Sequence, residues 1–343
     1  MAKSRKSEYL PQDYISRHDL LLYYNDLIVD MLELADKHEL SHVEIKHDNK
    51  EHGLDKINNE KILDWLFTNG FEGEASAIAK SHIFFSLLTD FIYYMHESFD
   101  CSERGKVTVA FTLCRKPIKD NLFYFCWLLV DEKDFIDCMM NKEPKEYDVT
   151  LMNVDKKKKI INKASTIVSD KHEEDLLFNI IYKRNSLYGL SSVWDQSIHL
   201  VTGNKNYPTE QGNLNFIFAT DEIWNEFWEL YYEKIPYIMN FAMEVIISIF
   251  ESILKPNQDA IILNRAFRKM KLCKTYLNDL DVEPFLDAIK FIEMECESCD
   301  QEYKLSDDSG KEFVNDYLYT CPYCGVEERV GKYFLDSNFI HQK

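Results

Sequence analysis

Glycine and proline are scarce in this sequence, at 10 and 8 of 343 residues. A fold made of many short strands needs frequent turns, and those turns depend heavily on these two residue types. Their scarcity therefore disfavours a many-stranded sandwich or barrel. The hydrophobic content of 45% is enough for a large packed core. Together these features predict long helices and a fold that is mainly α.

A hydrophobic run long enough to span a membrane is also missing. The nearest candidate, Pro236–Leu254, carries four polar residues at helical spacing: Asn240, Glu244, Ser248 and Glu251. They form one stripe on a helix that is otherwise apolar, which is typical of a central core helix. The basic residues near the N-terminus are not followed by an apolar stretch, so no secretory signal is expected. The sequence thus predicts a cytoplasmic protein without membrane contact.

Positive charge is in short supply. The chain has 40 Lys and Arg against 59 Asp and Glu, a formal net charge of −19. This excess repels nucleic acid phosphates, so non-specific DNA binding is disfavoured, while RNA stays open as a partner. A protein partner or self-association is favoured. The run Lys156–Lys159, with Asp155 expected to cap its helix, could indicate a binding partner, but a solvated helix face is the simpler interpretation.

Recognisable catalytic motifs are absent too. The sequence contains no Gly-rich phosphate-binding loop, nucleophile elbow or metalloprotease helix signature. The segment Gly203–Lys205 lacks the earlier glycine and the strand that a phosphate-binding loop needs. Whether the protein is an enzyme is therefore left open by its motifs.

Cysteine is where the sequence becomes informative. Four of nine cysteines form two closely spaced pairs, Cys296 with Cys299 and Cys321 with Cys324. Two tight turns can present four thiolates from opposite sides, as a tetrahedral Zn²⁺ site requires. Two redox dithiols or two disulfides would use the same residues, but the spacing fits a structural metal site better. The five scattered cysteines, beside such a site, indicate a reducing compartment.

The paired cysteines resemble a zinc ribbon that covers roughly Phe291 to Leu335. Its second turn, CPYCG, ends in Gly325, which can take the positive φ that closes the turn. The first turn, CESCD, lacks this glycine and is expected to be less regular. Because protein ligands fill all four positions, the zinc is expected to be structural, and the ribbon to support the fold or contact protein.

Helical periodicity runs through most of the remaining chain. A first long helix is expected from about Asp13 to His38 and an aromatic-rich one from Glu74 to Phe99. Pro117 should kink or divide another helix between Val107 and Val130.

The expected architecture is a large helical body with a small C-terminal β zinc ribbon. The segments are an N-terminal helix with a polar connector (1–60), a helical domain (61–290) and the ribbon (291–343).

Two segments carry polar groups that a core helix would not need. In the first, Lys116 and Asp120 stand four residues apart and could pair on one helix face. In the second, a helix over 184–200 would place five polar side chains on one stripe: Arg184, Tyr188, Ser191, Asp195 and His199. Such a stripe could supply a general base, an electrophile and an orienting acid. A buried hydrogen-bond network that fixes helix register is the favoured alternative.

An Arg-containing helix followed by one with Tyr188, Ser191 and His199 resembles the all-α HEPN-related domains, over roughly Glu74 to Leu200. These domains occur in bacterial abortive-infection and toxin proteins, and many are ribonucleases. Their catalytic signature is an Arg and a His separated by four to six residues, and no such pair occurs here. The resemblance therefore implies a binding or scaffolding role more readily than nuclease activity.

Two functions are thus expected. The first is an interaction or sensor component that holds structural zinc, in a setting of prokaryotic anti-phage defence. The second is a metal-independent ribonuclease or nucleotide-handling toxin that uses Arg184, Tyr188, Asp195 and His199 as catalytic residues.

Overall fold

The computed structural model confirms the mainly α class, with short strands only near the C-terminus of the described chain. It describes residues 9–42, 62–169, 175–184, 186, 189–203, 205, 208–216, 220–277, 286, 293–296, 298–316, 318–329 and 331–334.

The helices lie close to the predicted positions over most of the chain. In chain order they are α1 (Ile15–Lys37), α2 (Ile62–Thr68), α3 (Glu72–Glu103), α4 (Val107–Lys116), α5 (Leu122–Val130), α6 (Glu132–Asn141), α7 (Pro144–Tyr147), α8 (Val154–Val168), α9 (Leu176–Tyr182), α10 (Leu190–Ile198), α11 (Asp221–Leu254), α12 (Gln258–Tyr276) and α13 (Asp307–Asp316).

The chain forms two compact units: a larger one of residues 32–98 and 107–254, and a smaller one of residues 1–31, 99–106 and 255–343. The predicted boundaries at 60/61 and 290/291 lie outside the described residues. The smaller unit is therefore assembled from three separate stretches of chain.

Helix α11 is the central helix of the larger unit. It continues through Pro236, and most of its apolar side chains are buried. The predicted polar stripe from Asn240 to Glu251 is only partly buried, as expected for the single polar face of a core helix. By length and composition, α11 is the one described helix that could cross a membrane, with a mean hydropathy of 1.6. Within that stretch, 56% is buried inside the protein.

Aromatic side chains fill the core of the larger unit. The Phe125 ring meets Phe84 and Phe91 edge-on, with centroids 5.8 Å away in both cases. The Tyr231 hydroxyl of α11 lies 2.7 Å from the hydroxyl of Ser98, which donates to the Ala110 carbonyl at 2.7 Å. The buried phenol thus has a polar partner.

Pro117 divides the helix predicted from Val107 to Val130, as expected, but it does so through a π-helical turn. The turn spans Pro117–Asn121 and joins α4 to α5. Proline has no N–H to donate and its ring crowds the preceding turn, so a widened turn accommodates it.

The Asp90 carboxylate holds both ends of this π-turn. Asn121 donates to one oxygen at 2.8 Å, and Lys116 donates to the other at 2.7 Å. The predicted pairing of Lys116 with Asp120 is therefore wrong, because the ammonium is engaged by a carboxylate from α3.

One predicted helix is shorter than expected. The helix predicted over 184–200 begins only at Leu190 and ends at Ile198. Upstream, α8 begins earlier than expected, and Asn153 caps it by accepting from the Asp155 N–H at 2.7 Å. Asp155 therefore lies in the first turn and is not the cap.

The smaller unit contains two β-hairpins, in which β1 (Glu293–Glu295) pairs with β2 (Glu302–Lys304) and β3 (Leu318–Thr320) with β4 (Glu327–Arg329). Both pairs are antiparallel. Helix α13 lies between the hairpins in the sequence and was not predicted. The strand β1 has only three residues, too few to show the alternation by which a strand is recognised in a sequence.

Candidate functional site

The four paired cysteines lie at the turns of the two hairpins. Cys296 directly follows β1, and Cys321 directly follows β3. In the registers, Glu295 pairs with Glu302 and Thr320 with Glu327, so each turn contains six residues. Two equivalent turns therefore present the thiols, and we call the four cysteines the metal centre.

The two turns have the same hydrogen bonds. In the first, the Asp300 N–H donates to the Cys296 carbonyl at 2.8 Å, and in the second the Gly325 N–H donates to the Cys321 carbonyl at 2.9 Å. Asp300 has φ 53° where Gly325 has φ 73°. Aspartate tolerates this left-handed conformation better than most residues, so the turn without glycine keeps the same geometry. The expected irregularity of the first turn is not observed.

The sulfur positions fit a single tetrahedral ion. Cys296 Sγ lies 3.6 Å from Cys324 Sγ, and Cys299 Sγ lies 3.7 Å from Cys321 Sγ. All four ligand atoms lie within 4.8 Å of one another. With Zn–S bonds of about 2.3 Å, a regular tetrahedron has sulfurs about 3.8 Å apart. A disulfide needs about 2.0 Å, and all four cysteines are free thiols.

Backbone amides and neighbouring thiols stabilise negative charge at Cys321. Burial raises the pKa of the Cys321 thiol, but hydrogen bonds from the N–H groups of Cys324 and Tyr323 and from the other thiols outweigh it and lower the pKa to about 7. Burial raises the pKa of Cys299 to about 12, and the neighbouring thiols add to this. A thiolate at Cys321 is thus available near neutral pH as a first metal ligand.

Helices α12 and α13 support the second hairpin. The Phe313 ring of α13 lies 5.5 Å from Phe267 of α12 and 6.4 Å from Tyr319 of β3, between ring centroids. Lys274 of α12 also donates to the Val314 carbonyl at 2.8 Å. Aromatic packing between α12, α13 and β3 therefore stabilises the hairpin that contains Cys321 and Cys324.

Residues 331–334, which follow the second hairpin, are hydrogen-bonded to α12. The buried Asn264 side chain donates to the Phe334 carbonyl at 2.8 Å and accepts from the Phe334 N–H at 2.9 Å. The Tyr333 N–H donates to Asp30 of α1 at 2.5 Å. At Gly331, a Cβ would collide with the Asp26 side chain, so only glycine fits this close approach. Sequence reasoning missed this contact, because an asparagine in a helix rich in charged residues gives no local sign of a partner 70 residues away.

The predicted catalytic residues are not on one helix. Arg184 is exposed in a turn before α10, and His199 is exposed just after its end. Asp195 lies on α10 and is partly buried, while Tyr188 lies outside the described residues. The stripe that assumed a continuous helix from 184 to 200 is therefore interrupted.

Two neighbouring polar side chains have structural partners. Ser191 donates to the Ile181 carbonyl at 3.0 Å. Asn215 donates to the His199 carbonyl at 2.6 Å and accepts from the Thr209 hydroxyl at 2.6 Å. The first bond joins α10 to α9, and the other two hold the loop after α10.

The two polar segments identified in the sequence meet around the π-turn. Burial lowers the pKa of the Lys119 ammonium, Arg115 and Arg184 lower it further, and Asp120 and Asp195 oppose them. Burial also raises the pKa of the Asp120 carboxyl. We call these five residues the polar cluster.

The backbone of the π-turn is anchored beside this cluster. The Tyr182 hydroxyl donates to the Lys119 carbonyl. The buried Lys157 ammonium donates to the Val149 carbonyl at 2.9 Å and lies 5.6 Å from the Tyr182 ring centroid. The widened turn thus combines perturbed ionisable groups with a fixed backbone, a combination that occurs at functional sites and in structural networks alike.

No model of a known protein family, no curated protein and no solved structure matches this chain. The resemblance to HEPN-related domains therefore has no support beyond the residues that suggested it.

Proposed function

We propose that the metal centre holds one structural Zn²⁺ and that the chain is an interaction or sensor protein. The observation that carries the metal assignment is the set of four thiol sulfurs at tetrahedral spacing. Four thiolates leave no coordination position for water or substrate, so the ion would supply folding free energy. A place in prokaryotic anti-phage defence belongs to the same proposal and rests on the HEPN resemblance alone.

The interaction role is supported by what the second turn exposes. Tyr323 lies between the ligands Cys321 and Cys324, and 64% of it is exposed. A metal-fixed turn holds this aromatic side chain with little conformational freedom, so less entropy is lost when it is buried by a partner. Tyrosine is among the residues that contribute most to protein interfaces. The contact surface is therefore proposed to centre on Tyr323.

The metal part of the proposal is tested by zinc content. The wild-type chain should contain one zinc per molecule. Cys324→Ser should lose most of it, because three thiolates bind zinc more weakly. Cys324 is exposed, so its substitution disturbs no core packing, and the matched control Cys273→Ser should keep the metal. A wild-type chain purified without zinc, and unable to take it up, would contradict the assignment.

The interaction part is tested with a matched pair of exposed tyrosines. A stoichiometric partner captured by the wild type should be lost with Tyr323→Ala and kept with Tyr9→Ala, since Tyr9 is 56% exposed in the same unit. If both variants capture the partner equally well, Tyr323 is not part of the contact surface. Robust catalysis by the purified chain would contradict a non-enzymatic role.

A second candidate function is the metal-independent ribonuclease. The polar cluster favours it, because Lys119 and Asp120 have pKa values shifted towards each other beside Arg184 and Asp195. A lysine and a carboxyl side by side can act as general acid and general base. His199, exposed next to this segment, would be the further acid or base.

Cleavage of a labelled RNA distinguishes this candidate. Activity should fall at least tenfold with His199→Ala or Lys119→Met and should be unchanged with His96→Ala, an exposed histidine on α3. Tryptophan fluorescence would check that the larger unit, which contains all five tryptophans, stays folded. Wild-type protein without RNA cleavage would eliminate this candidate.

A further inference from the structure

The larger unit has a groove of about 910 Å³ along helix α8. Its lining includes three lysines, one carboxylate and two uncharged polar side chains, so its charge is net positive: Lys158, Lys159, Lys163, Asp155, Asn162 and Thr166. In a chain of net charge −19, this is a local reversal of sign. We call it the basic groove.

The lysine run that begins α8 divides into side chains with internal roles and side chains in the groove. Lys156 lies 3.8 Å from the Trp127 ring centroid and 3.3 Å from an Asp134 oxygen. Lys157 is buried and bonded to a backbone carbonyl. A solvated helix face therefore does not describe these two lysines, because both are used in packing.

The lysines that line the groove, Lys158, Lys159 and Lys163, are not used in packing in this way. Lys158 pairs with Asp175 at 2.5 Å, and the Asp175 carboxylate also accepts from Asn162 at 2.8 Å. Lys159 and Lys163 are exposed, and neither pairs with a carboxylate among the residues that the structure describes. They are one helical turn apart, with ammonium groups available on the same face.

An anionic ligand is the chemical class that fits such a surface. Net positive charge in a concave site attracts anions, whereas the net charge of the chain as a whole repels them. A long polyanion would also lie over surface outside the groove in a chain of net charge −19, and acidic groups within a Debye length of about 8–10 Å would repel it. A ligand whose negative charge is confined to a short segment is therefore favoured over an extended nucleic acid.

The lining also distinguishes a peptide from a nucleic acid. Among the lining residues that the structure describes, none has an aromatic ring or a guanidinium on which a base could stack. The lining does contain the apolar side chains of Val130 and Ile167, the second of which is 56% exposed. From Lys158 to Ile167 the helix rises about 14 Å, the length of about four extended peptide residues.

We propose that the basic groove binds a short acidic segment of a partner protein. Its carboxylates would pair with Lys159 and Lys163, and an apolar side chain would lie against Val130 and Ile167. The proposal does not rest on the metal centre, since every lining residue belongs to the larger unit.

Fluorescence anisotropy with a defined probe tests this directly. The probe is a labelled peptide of about eight residues that alternates glutamate with leucine, and its glutamine counterpart is the neutral control. The full-length chain should bind the acidic peptide, and raising NaCl from about 20 to about 200 mM should weaken it several-fold. The variant Lys159→Gln/Lys163→Gln should lose about tenfold in affinity.

A matched variant separates the groove from overall charge. Lys37→Gln/Lys205→Gln removes the same charge from two exposed lysines on other parts of the larger unit and should change affinity less than twofold. Equal losses for both double variants would overturn the proposal. So would equal binding of the acidic and neutral peptides.

Competition by oligouridylate and by inorganic phosphate completes the test. If oligouridylate binds through Lys159 and Lys163 more tightly than the peptide, the groove is a nucleic acid site and the proposal is wrong. If phosphate alone displaces the peptide at micromolar concentration, the site binds a compact anion, which also overturns it. Loss of zinc would leave peptide binding unchanged, so this test and that of the metal centre can fail separately.

Discussion

At the scale of single residues, the two cysteine turns show how one conformation can be reached by different side chains. Asp300 and Gly325 occupy equivalent positions, both with positive φ. Glycine adopts this conformation freely, whereas an L-residue with a Cβ is strained there. The absence of a glycine from the first turn suggested an irregular turn. The turn is regular because aspartate is among the few residues that tolerate the left-handed region.

Substitutions at Gly325 and Asp300 are expected to change the stability of the smaller unit in opposite directions. Gly325→Ala should lower the free energy of unfolding of the smaller unit by about 1 kcal/mol, whereas Asp300→Gly should leave it equal or raise it by about 0.5 kcal/mol. Space is not the cause, because a Cβ at Gly325 would meet nothing within 4 Å. Zinc release during urea titration measures both changes. A loss of stability in Asp300→Gly would show that its side chain has a further role.

Asp90 gives a second prediction at this scale, through pH. Partial burial raises the pKa of the Asp90 carboxyl, but hydrogen bonds from Asn121 and Lys116 outweigh it and lower the pKa below the ordinary 3.8. The ionised form therefore stabilises the folded state above that pH, and this contribution disappears as pH falls through the folded-state pKa. Asp90→Asn should cost about 0.5–1 kcal/mol at neutral pH and almost nothing once the pH lies below the folded-state pKa.

Urea unfolding followed by tryptophan fluorescence at several pH values measures that difference. The control Asp36→Asn, at an exposed position on α1, should change stability by less than about 0.5 kcal/mol at every pH. A difference between wild type and Asp90→Asn that does not diminish as the pH falls below 3.8 would show that the amide disturbs the π-turn by shape rather than charge.

At the scale of elements, long periodic segments were the easiest to predict. Helices α1 and α3 lie within a few residues of their expected ends, because each buries one continuous apolar face. Short elements were missed or misplaced: α13 was not predicted, and α10 was expected to begin at Arg184. Their ends depend on partners that are distant in the sequence, which local periodicity does not record.

The hydrogen bonds between residues 331–334 and α12 give a prediction about the stability of the smaller unit. Asn264→Ala should lower the stability of the smaller unit by about 2–3 kcal/mol, because the buried N–H and carbonyl of Phe334 lose their partner. The neighbouring exposed position offers a control on the same helix, where Arg265→Ala should cost less than about 0.5 kcal/mol. Zinc release in urea measures both, and equal effects would contradict the role given to Asn264.

At the scale of the whole molecule, metal removal should act on one unit only. All four cysteine ligands belong to the smaller unit and all five tryptophans to the larger. A strong chelator should therefore increase proteolysis in residues 255–343, because a structural zinc site contributes directly to folding. The tryptophan fluorescence should be unchanged. The midpoint of thermal unfolding that it reports should shift by no more than a few degrees. A matching collapse of the tryptophan signal would show that the two units unfold together.

The sequence by itself determined the helical class, the central helix and the four ligand positions of the metal centre. Each of these depends on local spacing: apolar periodicity selects a helix, and paired cysteines in tight turns can meet one ion. Tertiary structure alone decided that Lys116 pairs with a carboxylate 26 residues away. It also decided that Tyr333 bonds to a residue 303 positions earlier. Such contacts form only when distant elements pack, and the same packing left Lys159 and Lys163 exposed in the basic groove.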